Sequence, residues 1–204
     1  MCAVVGPGQV AAVEGQTRKP DEVVVDPHVA RRSRASWFWL VDDSVTPEPR
    51  ALEQLLALLD RWEKLPPPAL LASKIVGPDG SPDELSLPVP RMLDDRNVVV
   101  AAFERHALPI RIARAGSLLV AGRAIASFGL LPAGQDLTWT ARLLKHDLGL
   151  LVPASIGVRH ARQDGLELGA WLKLLSSSAL RRSEKPLLAL RIAEALLRQE
   201  RIGR

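Results

Sequence analysis

Five side chains stand where a carboxylate or an imidazole could do chemistry: Asp26, Asp42, Asp43, Asp136 and His160. The densest stretch is Trp37–Pro49, WFWLVDDSVTPEP, in which five bulky apolar residues run straight into two adjacent carboxylates. A short apolar run bounded by turn signals reads as a buried strand. Asp42 and Asp43 are therefore expected at the carboxyl edge of a sheet, where open α/β sheets bind ligands. Paired carboxylates there suit a hard divalent cation or a cation-bridged diphosphate; the alternative is an exposed acidic turn. Asp26 closes the run Val23–Val25 ahead of Pro27 and shares that edge if the two strands are parallel neighbours. It is either a cap or turn former or a ligand to a ribose or base. Asp136, in QDLTWTARLLKH, stands at a helix start, where the helix dipole favours a negative charge. His160 ends an alternating stretch in which Ile156, Val158 and His160 share one face. His28, His106 and His146 fit surface or loop positions.

The elements that must position these groups follow from periodicity. Thr46–Lys64 is expected to be a helix, with Thr46 as N-cap, Pro47 in the first position and Leu52, Leu55, Leu56, Leu59 and Trp62 on one face. Pro66–Pro68 stops it. Strands are expected at Cys2–Val5, Val23–Val25, Trp37–Val41, Ala69–Val76, Asn97–Phe103, Ser117–Ala121, Leu150–Pro153 and from Ile156 to His160. Weaker helical character covers Gln9–Gln16. Gly122–Phe128 forms a helix if Gly129 caps it, and Gln135–His146 forms another. Alternating strands and helices make an α/β sheet. Residues 1–164 form a compact unit on this reading, and 165–204 a helical appendage of Leu168–Leu180 and Pro186–Ile202. From Trp171 onward that appendage carries eight Lys/Arg against three Glu.

Composition narrows the classes. A chain of 204 residues with 47% hydrophobic and 25% charged residues is globular and can bury one core. Five Trp, three Phe and no Tyr, without interleaved basic residues, argue against a nucleic-acid stacking platform, so no nucleic-acid partner is expected. The net charge of +4 weakly favours anionic partners such as phosphates, nucleotides or acidic lipid. A single cysteine, Cys2, excludes an internal disulfide and a cysteine-based zinc cage. With no leader pattern and no apolar run near the ~18 residues of a membrane span, the expectation is a cytoplasmic protein, soluble or peripheral.

Several stretches in order resemble one family. They are the strand ending in DDS with its Pro-rich turn and Leu-rich helix, SKIVGPDG, SLLVAGRAIASFGLLP, QDLTWTARLL and LGLLVPASIGVRH. Together they look like the family-two glycosyltransferases of the GT-A fold, closest to the rhamnosyl- and galactofuranosyltransferase-like branch. The resemblance implies a GT-A-like (Rossmann-like) central mixed sheet flanked by helices, with a C-terminal helical appendage. It implies an inverting hexosyltransferase that moves a sugar from a nucleotide-diphosphate donor to a glycan or lipid-linked acceptor, in cell-wall or polysaccharide biosynthesis. On that resemblance Asp42, Asp43 and His160 hold Mg²⁺ or Mn²⁺ on the donor diphosphate, and Asp26 joins Asp42 and Asp43 in binding the donor. Asp136 is the catalytic base, the alternative being a helix N-cap; Arg142 faces the acceptor, and Trp139 either stacks on a sugar face of it or fills core. Ser44 stands where many relatives have a third Asp, and Gln135 where many have a second acidic residue. About ten residues separate Asp26 from Trp37 where the family has roughly thirty more. A catalytically inactive GT-A-like scaffold or partner subunit is therefore the second reading. The basic C-terminal helices are a solvated face, an attachment to the inner face of an anionic membrane, or a homodimer contact.

Overall fold

The computed structural model describes residues 1–30, 32–62, 65–82, 89–90, 96–132, 134–160, 168–180, 182–186, 188–190 and 192–193. The expected polar stretch 83–96 and the expected helix 186–202 fall largely outside these residues. So do Arg31, Arg181, Arg191, Arg198, Arg201 and Arg204.

A run that is apolar at every position needs cover on both faces, and the central sheet supplies it. Its strands are β1 (Cys2–Val5), β2 (Glu22–Val24), β3 (Trp37–Val41), β4 (Val45–Pro47), β5 (Leu70–Val76), β6 (Val89–Pro90), β7 (Leu108–Ile112), β8 (Ser117–Ala121) and β9 (Gly149–Arg159). The order across the sheet is β2-β1-β3-β8-β5-β9-β7-β6, with β4 paired to β9 off this path. β2, β1 and β3 run parallel, β8 is antiparallel to both β3 and β5, and β9 is parallel to β5. Side chains alternate strictly between two cores. Phe38, Leu40, Leu118 and Val120 join one; Trp39, Val41 and Leu119 join the other. The helices are α1 (Val10–Glu14), α2 (Pro27–Ala30), α3 (Ala51–Arg61), α4 (Arg96–Glu104), α5 (Gly122–Phe128), α6 (Asp136–Leu143) and α7 (Leu168–Ser176). Residues of α2, α5 and α6 cover the first face, and residues of α1, α3 and α4 the second. Among the described residues no helix is long and apolar enough to cross a membrane.

Three expectations change. Thr46 and Pro47 do not start a helix: they lie in β4, antiparallel to Val158 and Gly157 of β9, and α3 begins at Ala51. Its first turn is served from a distance. Gln16 Oε1 accepts the Leu52 N–H at 3.2 Å, and Gln16 Nε2 donates to Glu48 O at 2.9 Å. Asn97–Phe103 is helical rather than extended, because Val98, Ala101 and Ala102 recur at helical spacing on the core while Val100 and Phe103 stay exposed. The two expected strands after Leu148 are one strand, β9. Its register against β5 shifts between Ser73 and Lys74, whose partners are Val152 and Ile156. The residues inserted there bring Ser155 inward. Ser73 Oγ lies 2.7 Å from both Ser117 Oγ and Ser155 Oγ, Trp39 Nε1 donates to Ser117 at 3.0 Å, and Ser155 donates to Ala51 O at 2.9 Å. Buried polar groups must be paired, and this chain of hydroxyls pairs them across four strands and α3.

A third cluster docks the C-terminal segment. Trp171 and Leu174 of α7 pack with Ile112, Leu137 and Ala141. Arg111, buried on β7, staples the contact: Nε donates to Glu184 Oε1 at 2.7 Å, Nη2 to Ala179 O at 2.6 Å and Nη1 to Ala141 O. Arg111→Met is expected to cost about 3 kcal/mol in urea unfolding, because it removes the buried charged bond to Glu184 and the donors to two carbonyls. Cys2 is fully buried on β1, and burial first, then the charge of Glu22, pushes its thiol up to about 11. That contribution to stability is complete below the unfolded thiol's range and is lost as pH rises through about 11. At pH 8 the native thiol should react with a disulfide reagent at least about a hundredfold more slowly than in urea.

Candidate functional site

The acidic turn is built as an extension of the sheet. Asp42 continues the β3–β8 ladder one residue past the strand, its N–H donating to Gly116 O at 2.9 Å. The chain then reverses. Asp42 Oδ1 accepts the Ser44 N–H at 2.9 Å and the Ser44 hydroxyl, and Val45 N–H returns to Asp42 O at 3.0 Å. This is an Asx turn, a geometry that Asp and Ser favour locally. Buried Gln9 ties it to the end of β1 by donating from Nε2 to Asp43 O at 2.9 Å. Gly6 follows β1 for reasons of space, since its φ of −71° suits any residue. A Cβ there would fall 1.6 Å from Asp43 Oδ1, so the Asp43 carboxylate occupies the place of a Gly6 side chain.

Asp136 is the first residue of α6. Its Oδ2 accepts the Ala115 N–H at 2.9 Å and faces Arg114 Nε at 3.4 Å, and both side chains are largely buried. Thr140, one turn on, exchanges bonds with the Ala113 N–H at 3.2 Å and the Ala113 carbonyl at 2.7 Å. The segment Ala113–Ser117 thus binds α6 on one side and Asp42 on the other.

These elements enclose a cavity of about 550 Å³ at the carboxyl ends of β1 and β3. Asp42, Asp43, Ser44, Arg114, Asp136 and Arg159 line its charged part, and Val4, Leu40, Leu118 and Leu130 its apolar part. Arg159, the last residue of β9, is buried and donates from Nη1 to Ser44 Oγ at 2.6 Å. Three of the expected site residues, Asp42, Asp43 and Asp136, therefore share one cavity.

The other four lie elsewhere. Asp26 follows β2 at the same edge, but β1 separates it from β3, and it does not line the cavity. Its Oδ1 accepts the His28 N–H at 2.8 Å and its carbonyl takes the N–H groups of Val29 and Ala30, the work of a cap on α2. His160 is exposed and outside the cavity. Its N–H donates to Ser44 O at 3.0 Å and its Nε2 contacts Thr46 Oγ1. Trp139 is core, packed in the cluster with Leu143 and Ile125, and Arg142 is exposed on α6 away from the cavity.

The expected three-ligand metal site does not assemble among the described residues, which contain no group of three His, Cys, Asp or Glu able to hold a cation. Asp42 Oδ1 is engaged by Ser44, the Asp43 carboxylate sits over Gly6, and the His160 ring turns to Thr46. Arg114 and Arg159 were not singled out by sequence. Ser155, Gly157 and Arg159 form the buried face of the second half of β9, opposite His160, a choice of face that depends on the irregularity in the strand and not on local pattern.

No known protein family matches the chain, and no curated protein does. Among solved structures, it is similar to S. aureus TarS residues 1–349, with a TM-score of 0.48 and 11% identity over 93% of this chain and 69% of that one. It is similar also to S. aureus TarS 1–349 in complex with UDP-GlcNAc, with a TM-score of 0.49 and 9% identity over 92% of this chain and 69% of that one.

The Gly6–Asp43 contact is open to a double-mutant cycle. Gly6→Ala is expected to cost about 1–3 kcal/mol in urea unfolding of the wild-type background and close to nothing on Asp43→Ala.

Proposed function

We propose that the chain is an inverting glycosyltransferase of GT-A type, which moves a sugar from a nucleotide-diphosphate donor to a hydroxyl of a glycan or lipid-linked acceptor. The observation that carries this reading is the single cavity shared by Asp42, Asp43 and Asp136 at the carboxyl edge of parallel strands. Such an edge is where α/β sheets take nucleotides. The motif resemblance supports the same assignment of the acidic turn and of Asp136.

Asp136 has the place of a general base. Inversion requires a carboxylate that takes the proton of the acceptor hydroxyl while the oxygen attacks the anomeric carbon from the face opposite the diphosphate. The N–H of Ala115 and the guanidinium of Arg114 fix its orientation, both through Oδ2. The Asp42–Ser44 turn, in the same cavity lining, takes the donor side on this reading. The apolar lining offers a seat for the flat face of a nucleobase or for the apolar face of a sugar.

A second reading, an inactive GT-A-like scaffold or partner subunit, is favoured by one observation: among the described residues between β2 and β3, next to the cavity, stands one helix, the four-residue α2. Asp136→Asn separates the two. For the enzyme, release of nucleoside diphosphate from a panel of nucleotide sugars with hydroxyl acceptors is expected to fall by about 10²–10⁴-fold in the variant, with nucleotide affinity nearly unchanged. Wild-type protein that binds no nucleotide would contradict the enzyme reading.

A further inference from the structure

We infer that a second cavity, between the segment Ser33–Ala35 and α5, is a binding site for a lipid phosphate, with a single alkyl or prenyl chain on its apolar floor and the phosphate on Arg34. The inference does not depend on the glycosyltransferase reading, because it uses none of the charged residues assigned there.

The second cavity measures about 490 Å³ and adjoins the first, with Leu130 lining both. A volume in this range suits a small ligand. Its shape follows from two glycines. At Gly122 the helix meets the chain leading into β3: the N–H donates to Ser36 O at 2.7 Å, and a Cβ would fall 2.5 Å from Ala35 O. At Gly129, past the end of the helix, a Cβ would have nothing within 4 Å. The cleft is therefore a wedge, shut at the start of α5 and open at its end. Phe38, Ile125 and Leu130 are buried and supply the apolar floor, and Ala126 is exposed in the lining.

Such a floor takes an apolar group out of water. The charge beside it is positive. Arg34 lines the cavity and Arg32 precedes it; both are exposed, and neither guanidinium has a hydrogen bond or ion pair among the described residues. Glu22 reaches the lining through Ser33 Oγ at 3.0 Å, so one carboxylate stands against two guanidiniums. A guanidinium presents a planar fork that matches phosphate oxygens, and it stays charged at any working pH. A peptide would seek backbone donors instead, and those in the lining are taken: Ala35 N–H donates to Ser33 Oγ at 3.3 Å, Gly122 N–H to Ser36 O and Gly129 N–H to Ile125 O at 2.8 Å. A lipid phosphate needs none of them. Val29 of α2 and Phe128 of α5, on the helices next to these residues, are exposed apolar side chains that a lipid would cover.

The test is calorimetric titration of the full chain with octyl phosphate below its micelle concentration, beside octyl glucoside, which has the same chain and a neutral head, and inorganic phosphate, which has no chain. Octyl phosphate is expected to bind wild type at least about tenfold more tightly than either. Arg34→Ala should bring octyl phosphate down to the level of octyl glucoside. Ala126→Trp, which fills the wedge from its exposed side, should weaken octyl phosphate by at least about tenfold. Both positions are exposed, so both variants are expected to keep the fold, as circular dichroism would check. Octyl phosphate that does not bind, or that binds either folded variant as tightly as wild type, would overturn the inference. Inorganic phosphate bound as tightly would reduce the site to a bare anion contact, and octyl glucoside bound as tightly to an apolar cleft without a headgroup site; either result overturns it. No nucleotide enters the experiment, so its failure leaves the reading of the first cavity untouched.

Discussion

Strand β3 has no free edge and no free face, and the rest of the structure follows from that. On one side it pairs parallel with β1 from Phe38 to Val41; on the other it pairs antiparallel with β8 along its whole length. Trp39 and Val41 enter one core while Phe38 and Leu40 enter the other. A strand held this way can end in only one place, so Asp42 leaves the sheet between the end of β1 and the start of β8. The groups that meet there are those two strand ends: Gly6, which yields its side-chain space to Asp43, and the Ala115–Gly116 segment, which holds Asp136 and Asp42 by backbone N–H and C=O. Site geometry here is a consequence of sheet register.

The same register extends to β9. Two halves of that strand are joined by an irregularity that turns Ser155 into the core, where it completes the Ser73–Ser117 contact and meets the start of α3. With Ser155 inward, Gly157 and Arg159 follow on the same face by the two-residue period of a strand. Gly157 has no room for more: a Cβ would lie 2.7 Å from Val45 Cγ1 and 3.1 Å from Ile75 Cδ1. Arg159 is thereby delivered to the cavity and His160 to the outside. A buried guanidinium and an exposed imidazole are the reverse of what their chemistry alone would suggest, and the sheet decides it.

Much of this was legible in sequence because it depends on local patterning. Unbroken apolar runs such as WFWLV and SLLVA mark strands buried on both faces, and Gly129, with φ of 74° and its N–H on Ile125 O, caps α5 as its type requires. The carboxylates of Asp42, Asp43 and Asp136 were legible as well, because each follows directly from a strand end or helix start. What failed depended on partners distant in the chain. Thr46-Pro47 carries the signature of a helix start, yet β9 recruits it as a strand, and Gln16 supplies the cap instead. The valines of 98–100 favour a strand by type, but the surrounding core takes Val98 with Ala101 and Ala102 at helical spacing and leaves Val100 exposed. His160 and Arg159 are adjacent, and nothing local says which one the irregularity in β9 turns inward. Of the two places open to Trp139, a sugar face or the core, the packing of α6 against the sheet takes the core.

The central claim is that one ligand spans the space between the Asp42–Ser44 turn and Asp136. It is tested most directly by a crystal structure of the protein soaked with a nucleoside diphosphate. The account predicts density over the carboxyl ends of β1 and β3, with the diphosphate beside the Asp42–Ser44 turn and open space beyond it facing Asp136. A nucleotide bound away from this edge, or a diphosphate that does not touch the Asp42–Ser44 turn, would contradict it.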